Sequence, residues 1–155
     1  MKSKNVNYEE MLKAADDYWR AAEIICDADN KLFNQYRLLL AFSGEVYLKY
    51  ILLKKGYSNN IEKHDLLYLY NRLDKRIQNE INDILIKQPK KYRPLWYEPY
   101  TLNHYIEELE KNRFLVMNSR YYYEDYKKEF WIYTGGIYEI IRAFRTYAHD
   151  CESSQ

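Results

Sequence analysis

Apolar residues recur along most of the chain at steps of three and four, a helical rather than an alternating pattern. The first such stretch, Tyr8 to about Ala28, puts Met11, Ala14, Ala15, Tyr18, Ala21, Ala22 and Ile25 on one face and leaves Glu9, Lys13, Asp17 and Arg20 largely off it. Asp29 and Asn30 offer a turn and a cap for a second, longer helix, about Lys31 to Lys55, with Gly56 as its stop. Its predicted stripe is Tyr36, Leu39, Leu40, Ser43, Val46, Tyr47, Tyr50 and Leu53, and the small residues Ala41, Ser43 and Gly44 let another helix approach closely. A short helix from His64 to Leu73 precedes one capped by Asp74 and running to about Lys87, with Ile77, Ile81, Ile84 and Leu85 facing inward. Pro89, Pro94 and Pro99 mark the longest irregular segment, Gln88 to Tyr100. Thr101 caps a helix to about Met117, and Tyr121 to Tyr133 reads either as helix or as a packed aromatic loop. Gly135 and Gly136 interrupt the chain before a last helix, Ile137 to His149. The pattern predicts an all-α fold, an up-and-down bundle of four to five helices forming a single domain over residues 1–155.

Composition narrows the class of function. With 24 Lys and Arg against 23 Asp and Glu, the net charge of +1 gives no global attraction to nucleic acid or anionic lipid, so any such contact rests on a local cluster. No apolar run approaches the ~20 residues of a membrane-spanning helix. Met1 to Asn7 is polar, and Cys26 and Cys151 sit far apart outside any paired or metal-binding spacing, so a cytoplasmic protein with reduced thiols is expected. The chain holds 19 Tyr against 5 Phe, which fits half-buried surfaces between helices or subunits and equally fits a compositional bias. No phosphate-binding or dinucleotide-binding glycine pattern and no zinc spacing occurs, so neither a cofactor nor a metal is expected.

Three segments carry a resemblance. Gly44-Glu45-Val46-Tyr47-Leu48-Lys49-Tyr50-Ile51-Leu52-Leu53-Lys54-Lys55-Gly56 is followed after a short loop by Lys63-His64-Asp65-Leu66-Leu67-Tyr68-Leu69-Tyr70, and further on by Phe114 and Arg120-Tyr121-Tyr122-Tyr123-Glu124. In order and spacing these resemble the "GE-x-x-LK-x-x-L", "HDL-x-x-L" and "F…RY-x-YE" elements of the HEPN superfamily, over roughly residues 36–124. The resemblance implies a four- or five-helix bundle that usually dimerises, in prokaryotic defence, toxin–antitoxin pairs or RNA processing. It leaves two functions open: a metal-independent ribonuclease, or a non-catalytic dimerisation and binding module. The partners it implies are a second copy of the chain, an RNA substrate, and an antitoxin or defence-complex protein.

Catalytic members of that superfamily carry an Arg, then four to six residues, then a His. Here Arg142 and His149 are separated by six residues, with Arg145 between them and Ala143 where such members often have a polar residue. Seven residues is nearly two helical turns, so all three basic side chains share one face. RNA cleavage needs a 2′-hydroxyl deprotonated and a leaving 5′-oxygen protonated, which suits an imidazole titrating near neutrality, and a charged phosphorane, which suits the fork of an arginine. Arg142 and His149 are the candidate catalytic pair, and Arg145 and Arg120 the candidate phosphate contacts. The plain alternative is a group of cations placed at a helix C-terminus by its dipole.

The remaining polar residues read as structural first. Glu45 and Lys49 are set for an i, i+4 ion pair, as are Arg120 and Glu124. His64 fits a cap at a helix start, and His104 stands alone. Asp16 and Asp17, being adjacent, face different directions and make a poor metal pair. Tyr121 to Tyr123 beside Lys127 and Lys128 interleaves aromatic and basic groups that stack on bases, or else pack a helix or dimer surface.

Overall fold

In a computed structural model of the chain, residues 6–28, 32–89, 101–120 and 134–153 are described. They form seven helices and no strand: α1 Tyr8–Ala28, α2 Phe33–Lys54, α3 Leu66–Asn71, α4 Lys75–Lys87, α5 Leu102–Lys111, α6 Leu115–Arg120 and α7 Thr134–Ser153. The all-α bundle is therefore as expected, although its helices are more numerous and two are short. The expectations for Asp29 and Asn30, for most of the proline-rich segment and for Tyr121 to Tyr133 lie outside the described residues.

Local chemistry sets the starts of α4 and α5 and the end of α2 where the sequence placed them, whereas α3 starts after Asp65 and not at His64. Asp74 and Asp65 accept hydrogen bonds at 2.9 Å from the backbone N–H of Ile77 and Tyr68, capping α4 and α3. Thr101 caps α5 reciprocally with His104, whose ring nitrogen accepts the Thr101 N–H. The α2 stop is a Schellman motif: Gly56 at φ +85° donates to Leu53 O, and Tyr57 donates to Leu52 O.

α2 is the centre of the bundle, packed against α1, α3, α6 and α7. Its buried residues, Tyr36, Arg37, Leu40, Ala41, Ser43, Gly44, Glu45, Tyr47, Leu48, Tyr50, Ile51 and Leu52, occur on every side, so the expected single stripe is replaced by burial all round. On α1 the buried face is Leu12, Ala15, Trp19 and Ala22, rotated from the expected one, and Tyr18 is exposed. Trp19 decides that phase, because its ring packs 4.7 Å from that of Tyr138 on α7.

Two expected boundaries move for tertiary reasons. The helix from Thr101 breaks at Asn112 to Phe114, where the Arg113 carbonyl accepts the Leu66 N–H at 2.8 Å and the Arg113 guanidinium grips Asp65, so the turn is tied to the start of α3. Gly135 and Gly136 lie inside α7 rather than before it. A Cβ on Gly136 would meet Glu108 Cγ at 3.0 Å, so this glycine serves the approach of α5 and not a helix end.

Gly44 has the same use at the α2–α7 contact, as its small size implies. A Cβ there would meet Ile141 Cγ1 at 2.8 Å, and Ile141 is fully buried. Gly44→Ala gains about 1 kcal/mol in helix propensity but forces an overpacked core that costs about 1–3 kcal/mol. Chemical denaturation is expected to show net destabilisation, larger for Gly44→Val. A stabilised Gly44→Ala variant would mean that α7 shifts freely.

Candidate functional site

The polar cluster of most chemical interest joins three helices at one carboxylate. Asp16 on α1 accepts from the Tyr47 hydroxyl on α2 at 2.5 Å and from Arg145 Nε on α7 at 3.0 Å. His149, one turn further along α7, brings Nε2 to 3.0 Å from Asp16 Oδ1 and 2.9 Å from Oδ2. Tyr47 is fully buried, whereas the side chains of Asp16, Arg145 and His149 are 29%, 40% and 37% exposed. The cluster thus has a buried floor and an open rim. Ser43 on α2 donates to the Ala15 carbonyl at 3.0 Å beside Asp16 and fixes the two helices at this level.

Electrostatics follow from that arrangement. Burial works against ionising Asp16, but hydrogen bonds from Tyr47, His149 and Arg145, together with the His149 charge, outweigh it and hold the carboxyl below its ordinary range. Tyr47 is displaced the opposite way, first by burial and then by the carboxylate it serves, so its hydroxyl stays protonated. A carboxyl held low in the folded state adds stability above its unfolded value of 3.8 and loses it as the pH falls through the folded value. In urea midpoints taken between about pH 6 and about pH 2, Asp16→Asn is expected to cost stability at the upper end and to converge on wild type at the lower. A gap that stays constant down to the lowest pH would contradict the coupling.

The candidate residues divide in space. Arg145 and His149 meet at Asp16. Arg142 shares their helix face but turns to the C-terminal end of α4, where its Nε donates to Gln88 Oε1 at 3.2 Å and its Nη2 to the Pro89 carbonyl. Gln88 also donates to the Glu139 carbonyl at 2.6 Å, and the Arg142 guanidinium lies 5.6 Å from the centre of the Tyr138 ring. Arg142 therefore takes part in fastening α4 to α7. Arg120 closes α6, and its side chain lies outside the described residues. Asp16 and Tyr47 are the functional candidates that sequence reasoning missed. Asp16 had a signal: at a step of four from Leu12 and three from Trp19, it is a charge on the edge of the buried α1 face.

A second cluster matches the expected ion pair. Glu45, buried on α2, receives Lys49 Nζ at 2.6 Å and His64 Nδ1 at 3.0 Å. The α3 cap is Asp65 rather than His64, which is exposed and tethered to Glu45 instead. Among the described residues no group of three His, Cys, Asp or Glu is placed to hold a metal ion. Among them, too, no helix is long and apolar enough to cross a membrane.

No family model, curated protein or solved structure matches the chain. The function rests on the residues themselves.

Proposed function

We propose that the protein is a HEPN-like, metal-independent ribonuclease whose working surface is the Arg145–His149 strip of α7. The observation that supports this most is that His149 lies within an ordered helix running on to Ser153, partly open to solvent and hydrogen-bonded beside a guanidinium. An imidazole and a guanidinium on one open strip suit the reaction. The 2′-oxygen loses its proton to a base and bonds to phosphorus, the P–O5′ bond breaks, and the departing 5′-oxygen takes a proton from an acid. One chain brings one imidazole to this strip, so a homodimer with two strips facing supplies base and acid together. Arg145 contacts the phosphate, and Arg142 joins it once its guanidinium leaves Gln88. The proposed setting is the cytoplasm, within a defence or toxin–antitoxin system in which an antitoxin covers the strip.

A specific observation favours a second reading. Arg142 is engaged by Gln88, Pro89 and the Tyr138 ring, as a structural arginine would be. On that reading the domain is a catalytically silent dimerisation and binding module. Cleavage of several RNA substrates by purified protein in EDTA separates the two. Activity lost in His149→Ala supports the ribonuclease, and an inert wild type on all substrates supports the module. Activity equal in wild type, His149→Ala and Arg142→Ala places the chemistry elsewhere.

A further inference from the structure

The orientation of His149 carries more than its presence. We infer that Asp16 and Tyr47 are positioning residues that hold the His149 ring by Nε2–H, so that Nδ1 is the nitrogen that exchanges the proton with the RNA.

An ionised carboxylate only accepts hydrogen bonds, so the nitrogen facing it must donate. Both Asp16 oxygens lie within 3.0 Å of Nε2, which assigns the hydrogen to Nε2 in the neutral ring. Nδ1 is then the basic lone pair, and it meets no partner among the described residues. Asp16 is not a loose surface acid that substrate displaces. Its Oδ1 is held by the hydroxyl of a tyrosine with no exposed surface. Withdrawing the carboxylate would leave that buried hydroxyl without the acceptor it has in the fold. Asp16 also keeps its charge to low pH, because three donors converge on it. The result is a ring fixed in tautomer and angle, with a carboxylate behind it to stabilise the imidazolium that forms when Nδ1 takes a proton. The inferred role rests on the ribonuclease reading, but the tautomer does not.

The chain contains its own comparison. Of its three histidines, His64 presents Nδ1 to the Glu45 carboxylate at 3.0 Å and so carries the opposite tautomer. Long-range proton–nitrogen NMR of the imidazoles of the full chain, assigned with His149→Gln, reads both in one spectrum. Wild type is expected to show His149 with Nδ1 unprotonated and a downfield Nε2–H protected from exchange, and His64 with Nδ1 protonated. In Asp16→Ala the protected Nε2–H resonance of His149 should disappear into exchange while the His64 signals stay, which also reports that the fold survives. Tyr47→Phe should accelerate exchange of the same proton without abolishing it. A His149 with Nε2 unprotonated in wild type, or a Nε2–H resonance unchanged in Asp16→Ala, would overturn the assignment. On RNA, Asp16→Ala is expected to lower kcat at least tenfold with KM within twofold, and Asp16→Asn to fall between it and wild type; an unchanged kcat would overturn the positioning role. If the wild type cleaves nothing while the NMR pattern is as described, the ribonuclease reading fails and the ring's orientation stands.

Discussion

If the protein cleaves RNA as proposed, replacing His149 with Ala is expected to lower that metal-free cleavage by about 10²–10⁴-fold, the range for removing a general acid or base. That corresponds to about 2.7–5.5 kcal/mol of transition-state stabilisation. The fold should tolerate the change. The side chain is 37% exposed, and Asp16 keeps Tyr47 and Arg145 as partners, so the stability cost is expected to stay within about 1 kcal/mol. Single-turnover cleavage in EDTA beside a thermal melt measures the two effects separately. A large loss of rate with a nearly unchanged melt marks a functional group. A matching loss of stability would instead give His149 a structural role, and an unchanged rate would sink the proposed chemistry.

Phe144→Ala should have the largest effect on stability. Phe144 is fully buried on α7, with its ring 6.1 Å from that of Tyr70 on α3. Its neighbours along the helix, Ile140, Ile141, Ala143, Tyr147 and Ala148, are buried as well, so little room exists for collapse around the gap. Truncating a core phenylalanine costs about 3–5 kcal/mol, a large share of the roughly 5–15 kcal/mol that holds a domain together. At about 2–4 °C per kcal/mol for a domain of this size, the melt should fall by roughly 6–20 °C. Phe114, 47% exposed with the Arg113 guanidinium 5.0 Å from its ring centre, is the natural contrast. Phe114→Ala is expected to stay within about 0.5 kcal/mol of wild type. Similar losses in the two variants would contradict the burial pattern.

The two effects fall on one helix. α7 buries Ile137, Tyr138, Ile140, Ile141, Ala143, Phe144, Tyr147 and Ala148 against the bundle and turns Arg142, Arg145 and His149 outward. The spacing of Arg142, Arg145 and His149 made their common face legible from sequence, since helical geometry alone fixes it. What each of them touches was not legible. Arg142 and Arg145 are three residues apart, yet one reaches the end of α4 and the other reaches α1.

Helix existence, the Asp74 and Thr101 caps, the Gly56 stop and the Glu45–Lys49 pair were set by the sequence itself, because each depends on residues within a turn or two of one another. The close approach at Gly44 was also visible as a run of small residues, although its partner Ile141 was not. Only the tertiary structure decided the rest. Trp19 against Tyr138 set the phase of α1, Arg113 against Asp65 and Leu66 broke the fifth helix, and Glu108 beside Gly136 kept two glycines inside the seventh. The same holds for the site. Asp16 stands 31 residues from Tyr47 and 133 from His149, so no local rule links them. Their meeting is fixed by how α1, α2 and α7 pack, which depends on the fit of many buried side chains at once rather than on the pattern of any one segment.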